Sequence, residues 1–292
     1  MSNSIGIQVH ELNRASWNEA VVAHNSHKVD QDIFFRNKGS TLYPEEIGLL
    51  GNLAGKKVCH LQCNAGQDTL SLITRLGAEN PTGVDISDVA VDFASKLAKD
   101  SGLEATFIRA DVFEYFDTTD ADQFDVVFVS YGTVGWLNDI ERWGRGIHRI
   151  LKPGGRIIFV EFHPVCFIFD QDMVQTYPYS SAGEAIHETS GVSDYVAFSN
   201  TGGEVMPNLK FQAGVQEFRN PHPTVEFGWG VGDTIGSLIK AGLHVSHLKE
   251  YPYSNFYRPY KAMVSEHCEE GPRWRPTGHM LPLMYSVVAS KP

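Results

Sequence analysis

At 292 residues, with a formal net charge of −11, 42% hydrophobic and 20% charged residues, the chain has the make-up of a soluble globular protein able to bury a full core. No apolar run reaches the ~18 residues a membrane span needs, and the N-terminal stretch lacks an apolar h-region, so a cytoplasmic protein without membrane or secretory segments is expected. A nucleic-acid partner is not expected: the only concentrated basic stretch, Arg142 to Arg149, reads as a helix face and not as a phosphate-binding stripe.

A small molecule is therefore the favoured partner. The cysteines Cys59, Cys63, Cys166 and Cys268 show no framework spacing and no CxxC pair, as expected of free thiols in a reducing compartment. The remaining histidines, among them His222, His244, His247, His267 and His279, show no metal-ligand spacing, so no metal is assigned.

In chain order, residues 1–52 read as a helical cover rich in Trp17, His24, Phe34 and Phe35. From Lys57 to Phe162 short apolar runs alternate with amphipathic stretches. "KVCHL" reads as a strand and "DTLSLITRLGA" as a helix, with Leu70, Ile73 and Leu76 at helical spacing. "PTGVDIS" is a short strand ending in an acid, followed by a helix that Gly102 closes. "ATFIRAD" is a third strand, again ending in an acid. "FDVVFVSY" is a fourth, and its apolar run fits a strand buried on both faces. "DIERWGRGIHRILKPGG" reads as a helix stopped by Pro153 and two glycines, and "RIIFVEF" as the fifth strand. Such alternation implies a parallel sheet with right-handed crossovers.

The rhythm breaks after His163. Residues 164–224, rich in Gly, Pro, Tyr and Phe, read as a strand-containing insertion, with alternating pieces at "DYVAFS" and "VQEFR". The pattern then resumes with a helix at "VGDTIGSLIKAGL", a strand at "HVSHLKEY" and a terminal strand at "MLPLMYSVVAS". The whole of 1–292 reads as a single domain.

Ligands of open parallel sheets bind beyond the carboxyl ends of the strands. Here those ends are chemically marked. The first runs into a turn from Gln62 to Gly66, the second ends in Asp85, the third in Asp111 and the fourth in Ser130-Tyr131-Gly132. A carboxylate after the second strand suits a ribose diol, and one after the third can accept from an adenine amino group. All four in register point to an adenosine-bearing ligand.

On these residues the chain resembles the class I S-adenosylmethionine-dependent methyltransferases. "VCHLQCNAGQ", "GVDIS", "RADVFEY", "FDVVFVSYGTVGWL" and "ILKPGGRIIFVEF" stand where that family's motifs stand, and "HLQC", "EFHP" and "LPLMYS" extend the likeness to a bacterial small-molecule subgroup. The resemblance implies a Rossmann-like α/β fold: a seven-stranded, mostly parallel sheet whose last strand is antiparallel, with an N-terminal helical segment and a lid inserted after strand 5. It implies S-adenosyl-L-methionine as cofactor and S-adenosyl-L-homocysteine as product. The implied contacts come from Trp17, from Leu61, Gln62, Cys63, Asn64, Gly66 and Gln67, from Asp85 and Ile86, from Asp111 and Val112, and from Ser130.

The turn departs from the family pattern. His60, Gln62 and Asn64 stand where an acid and two glycines are usual, and only Gly66 is kept. Asn visits positive φ at modest cost, so Asn64 can replace the middle glycine. A side chain at 62 blocks the close backbone approach a pyrophosphate requires, which favours a methyl donor over NAD. A nicotinamide oxidoreductase is the less favoured reading, and a non-catalytic S-adenosylmethionine-binding protein stays open as the alternative.

Trp17, Phe34, Tyr131 and Trp136 are candidates for an aromatic wall around the donor's sulfonium. If the acceptor must lose a proton, His163 just beyond the fifth strand is the first candidate base, with Glu161 and Tyr131 as further catalytic candidates. Tyr177, Tyr179, Tyr195 and Trp136 are candidates for binding the acceptor, expected to be an aromatic or heteroaromatic metabolite. A homodimer through the insertion or the N-terminal helices is the candidate assembly.

Overall fold

The computed structural model describes residues 2–199, 210–268, 271–278 and 281–292. Seven strands form the central sheet: β1 (Val58–Leu61), β2 (Thr82–Asp85), β3 (Thr106–Arg109), β4 (Phe124–Ser130), β5 (Leu151–Phe162), β6 (His244–Tyr251) and β7 (Met284–Ser290). Their order is β6-β7-β5-β4-β1-β2-β3. The pairs among β1 to β5 are parallel, and β7 runs antiparallel to both neighbours. This is the sheet the sequence predicts. β4 shows why it is central: Val127 and Val129 pack into one apolar cluster and Val126 and Phe128 into another, so both faces are buried.

Three helices precede β1: α1 (Ser2–Ser26), α2 (Gln31–Arg36) and α3 (Pro44–Leu50). Four connect the strands: α4 (Gln67–Leu76), α5 (Asp88–Ser101), α6 (Val112–Thr118) and α7 (Ile140–Ile150), and α8 (Val231–Lys240) leads into β6. Their starts are locally encoded. Ser87, Asp111 and Asp139 each accept backbone N–H bonds at the first turns of α5, α6 and α7. Gly102 closes α5 at φ 70°. No described helix is long and apolar enough to cross a membrane.

The structure differs from expectation in three places. The "LKPGG" string belongs to β5 and not to the end of α7. Leu151 already pairs with Phe124, and the register slips before Val126 meets Arg156, which absorbs the Pro153–Gly155 detour. In the insertion, "DYVAFS" contains a short helix, Tyr195–Ser199, begun by Asp194 accepting from the Ala197 amide, and "VQEFR" forms no strand. Short alternation without a pairing partner does not hold a strand. Among the described residues the strands are Ala185–Glu188 against Thr224–Phe227, and Lys210–Phe211 against Lys28–Val29. Third, Ser254–Asn255, Met263–Cys268 and Gly271–Pro276 form a small antiparallel sheet that the sequence reading passed over. Cys59, Cys63 and Cys166 are free and buried, and the Cys268 and His267 side chains and all of His279 lie outside the described residues.

Candidate functional site

Strand order reverses between β1 and β4, and a cavity of about 220 Å³ opens beyond their carboxyl ends. The turn after β1 forms its floor. Gln62 and Asn64 both adopt left-handed backbone, φ 53° and 48°, so two non-glycine residues make the bend that glycines would otherwise make. Gly66 follows at φ 79°, and a Cβ there would lie 2.7 Å from the Ala94 Cβ and 2.8 Å from Phe107, so this one glycine has no substitute. Asn64 is fastened twice: its amide donates to Asp85 at 2.7 Å, and its own Oδ1 accepts from the Ala65 amide at 2.6 Å. Gln62 donates through Nε2 to the Thr133 carbonyl at 2.9 Å, while its buried Oε1 has no partner among the described residues.

Asp85, at the end of β2, faces the cavity with one oxygen held by Asn64 and the other by the Ser87 amide at 2.9 Å. Burial pushes its carboxyl up to about 6 against those bonds. Asp111, at the end of β3, is more fully engaged. One oxygen accepts from the Phe113 and Glu114 amides at 2.8 and 3.2 Å, and the other meets His10 Nδ1. Burial opposes ionisation there, but the His10 contact and the amides hold the carboxyl below its ordinary range. His10 Nε2 is buried and has no partner among the described residues.

The roof is α1. His10, Asn13, Trp17 and His24 recur along one helical face and all line the cavity. The Trp17 ring meets Trp136 edge-on at 5.4 Å and His24 at 6.2 Å, and His24 lies 4.2 Å from Tyr195. Trp136 is fixed by its Nε1 donating to the Gly132 carbonyl at 2.8 Å.

Beneath the roof a polar chain crosses the strand ends. His60 joins Thr69 Oγ1 at 2.8 Å and Ser130 Oγ at 3.2 Å, and Asp68 accepts from Ser130 at 3.2 Å and from Thr41 at 2.5 Å. Burial lowers His60 to about 4, so it is neutral and serves as a hydrogen-bonding group.

The cavity gathers most of the residues predicted to touch the donor: Trp17, Gln62, Cys63, Asn64, Gln67, Asp85, and further Ile86, Asp111, Val112 and Ser130. Leu61 and Gly66 are not on its surface. Leu61 is buried in the core, and Gly66 acts through the bend. Of the acceptor candidates, Trp136 and Tyr195 line the cavity and Tyr177 and Tyr179 do not. The Tyr177 hydroxyl meets Glu188 and the Tyr179 hydroxyl accepts from the Val231 amide at 3.1 Å, both at exposed positions.

Among the catalytic candidates only Tyr131 borders the cavity. Its hydroxyl turns toward α3, meeting Glu46 and accepting from Asn255 Nδ2 at 2.9 Å. Glu161 is buried, and its carboxylate accepts from the amides of Gly132, Thr133 and Phe162 and from the Thr133 hydroxyl, so it shapes the loop after β4. His163 faces away, its Nε2 3.0 Å from Glu250 on β6 and its Nδ1 accepting from the Val165 amide at 3.2 Å. These bonds explain the difference from expectation: the strand end delivers both side chains to structural partners. Phe34 does not line the cavity; it packs with Phe35, Leu70 and Leu97.

Sequence reasoning missed His10, Asn13 and Lys28 as cavity residues, along with Thr41, Asp68 and Phe256. The spacing of His10, Asn13, Trp17 and His24 was the available signal, since a polar stripe at 3, 4 and 7 residues marks a helix face turned to a cavity and not to a core. Among the described residues no group of three or more His, Cys, Asp or Glu side chains is arranged to hold a metal.

Residues 58–155 match a family model described as a methyltransferase domain. A ubiquinone/menaquinone biosynthesis C-methyltransferase from Idiomarina loihiensis is 28% identical over 159 residues, which make up 52% of this chain and 62% of that protein. A demethylmenaquinone methyltransferase from Thermus thermophilus is 30% identical over 111 residues, 38% of this chain and 49% of that one. The chain thus matches only about half to three-fifths of the length of these curated relatives. Among solved structures, an S-adenosylmethionine-dependent methyltransferase from Mesorhizobium loti shares the fold with a TM-score of 0.52 at 20% identity, covering 86% of this chain and 98% of that one.

Proposed function

We propose that this chain, whose residues 58–155 match a methyltransferase domain, is a class I S-adenosylmethionine-dependent methyltransferase that moves a methyl group from S-adenosylmethionine to a small aromatic acceptor. The observation that carries this reading is the convergence of the Gln62–Asn64 turn, Asp85, Asp111 and Ser130 on one cavity under α1. The donor brings its own activation as a methyl sulfonium, so the protein's work is to hold, orient and exclude water.

The residues fit that task. Asp85 keeps lone pairs for two ribose hydroxyls, and the orphaned Gln62 Oε1 can accept from the donor's ammonium. His10 Nε2, held in place through Asp111, faces the nucleobase end. Asp68, Asp85 and Asp111 bring negative charge to the cavity and Trp17, Trp136 and Tyr195 bring ring faces, and both suit a cationic ligand. The relatives named for quinone biosynthesis support an aromatic acceptor, and residues 164–224 serve in this reading as a cap that selects it.

Calorimetric titration with S-adenosylmethionine, S-adenosylhomocysteine and NAD tests the donor. Binding of the first two and not of NAD is expected, and tight NAD binding alone would overturn the proposal. Mass spectrometry of an acceptor pool for the gain of one methyl group separates transfer from mere binding.

Donor binding should also depend on pH through Asp85. Burial holds this carboxyl at about 6, and ribose hydroxyls favour its ionised form. Affinity should therefore be constant above about pH 6 and fall below it, by up to about tenfold per pH unit. S-adenosylhomocysteine, which has no sulfonium to lose, is the ligand to titrate, and an affinity flat from pH 7 to pH 5 would remove Asp85 from the ribose site.

A further inference from the structure

α1 crosses the whole cavity. His10 marks its nucleobase end at Asp111, and His24 lies about 21 Å further along the axis at 1.5 Å per residue. Just past the end of α1, in the strand Lys28–Val29, Lys28 also lines the cavity. It is the only lysine or arginine among the described lining residues, and its backbone pairs with Phe211 while its ammonium makes no hydrogen bond or ion pair with any described residue.

The charged groups around it are Asp68, Asp194, His24 and His27. Both carboxylates already hold other partners: Asp68 accepts from Thr41 and Ser130, and Asp194 pairs with His27 Nε2 at 2.7 Å. His24 cannot supply positive charge, because burial keeps its imidazole neutral, at about 4, while its Nε2 donates to the Ser193 carbonyl at 2.9 Å. An ammonium left without a counter-ion inside a cavity costs free energy. Burial accordingly lowers Lys28 to about 8, near enough to neutrality to keep it mostly protonated and ready to take an anion. His24, which feels the charge of Lys28, and Tyr195 line the same cavity 4.2 Å apart, with Trp17 6.2 Å from His24.

Resting on the methyltransferase reading, we infer that the acceptor is an aromatic compound carrying an acidic oxygen, bound as its oxyanion with Lys28 as counter-ion against the His24–Tyr195 wall. The acceptor's proton leaves to solvent as it binds; methylation at that oxygen then forms the O–CH3 bond as the donor's S–CH3 bond breaks, and no general base is needed in the cavity. This agrees with the turning of Glu161 and His163 toward structural partners.

The test uses the full chain saturated with S-adenosylhomocysteine and 4-nitrophenol as probe, whose anion alone is yellow. Below the free phenol's own pKa, binding should develop the yellow anion, with an apparent shift of about one pH unit or more toward acid. 4-Nitroanisole, its non-ionising methyl ether, should bind at least about tenfold more weakly. Lys28→Met should abolish the shift and Lys28→Arg should restore it, which guards against a variant that fails to fold.

Failure of the loaded wild type to bind the phenol, binding without ionisation, or an unchanged shift in Lys28→Met would each overturn the inference. Loss of S-adenosylhomocysteine affinity in Lys28→Met would overturn it too, by assigning the lysine to the donor's carboxylate. Absence of S-adenosylhomocysteine binding in the wild type would instead sink the methyltransferase reading, so the two failures are distinguishable.

Discussion

Replacing Asp85 with alanine is expected to weaken S-adenosylhomocysteine binding by roughly 1.5–3 kcal/mol, about 10- to 150-fold, the worth of hydrogen bonds to a charged group. The residue invites a second measurement that separates binding from folding. Its carboxyl is raised to about 6 in the folded protein, above the ~3.9 of an unfolded chain. A raised acid contributes stability below its unfolded pKa, and that contribution is lost as pH rises through the folded value. At pH 7.5 the ionised Asp85 therefore burdens the unliganded fold. Asp85→Asn, which keeps an oxygen for the Asn64 or Ser87 amide, should leave the melting temperature of the free protein unchanged or higher while donor affinity drops. A melting temperature and an affinity that fall together would mark Asp85 as a structural residue of the turn.

Glu161→Ala should be the most damaging single change to the site. Removing the carboxylate orphans the amides of Gly132, Thr133 and Phe162 and the Thr133 hydroxyl; Thr133 and Phe162 are buried, and Gly132 is half-buried at the cavity. At about 1–3 kcal/mol for each buried group left unsatisfied, with partial relaxation, a loss of roughly 3–5 kcal/mol is expected. The damage should reach the ligand, because the Thr133 carbonyl that the carboxylate positions is the acceptor for Gln62. Denaturant unfolding reads the first effect and calorimetry the second. Burial raises the Glu161 carboxyl, so Glu161→Gln, neutral and still an acceptor, should recover part of the stability. If Glu161→Ala kept full stability and lost only turnover, the carboxylate would be acting on substrate after all.

The sheet and the strand-end side of the cavity were legible because they are written locally. Apolar runs such as "VVFV" name the buried strands, and a polar residue at each carboxyl end names what faces the ligand. Even the substituted turn could be read, since Asn64 takes the positive φ its chemistry tolerates. Gln62 does the same, which its residue type does not announce. The other half was hidden because it depends on partners far apart in sequence. Nothing near His163 says that Glu250 will meet it, and nothing near Lys28 says that its strand will pair with Lys210–Phe211. The small sheet from Ser254 to Pro276 went unseen for a simpler reason: prolines, glycines and charges interrupt the alternation on which a strand assignment relies.

The tethering of α1 has a consequence for the order of events in a catalytic cycle. Besides lying over the strand ends, α1 is bonded along its length to the inserted segment. Asn13 exchanges two bonds with Val225, Ser16 accepts from the Val192 amide, and His24 donates to the Ser193 carbonyl. If the inserted segment caps the acceptor as proposed, the covers over donor and acceptor form one mechanical unit. Energy spent ordering it for the first ligand need not be spent for the second, so each should raise the other's affinity by the same factor. Departure follows the same logic: on that reading release of the products should be slower than methyl transfer, which a burst of methylated product in the first turnover would reveal.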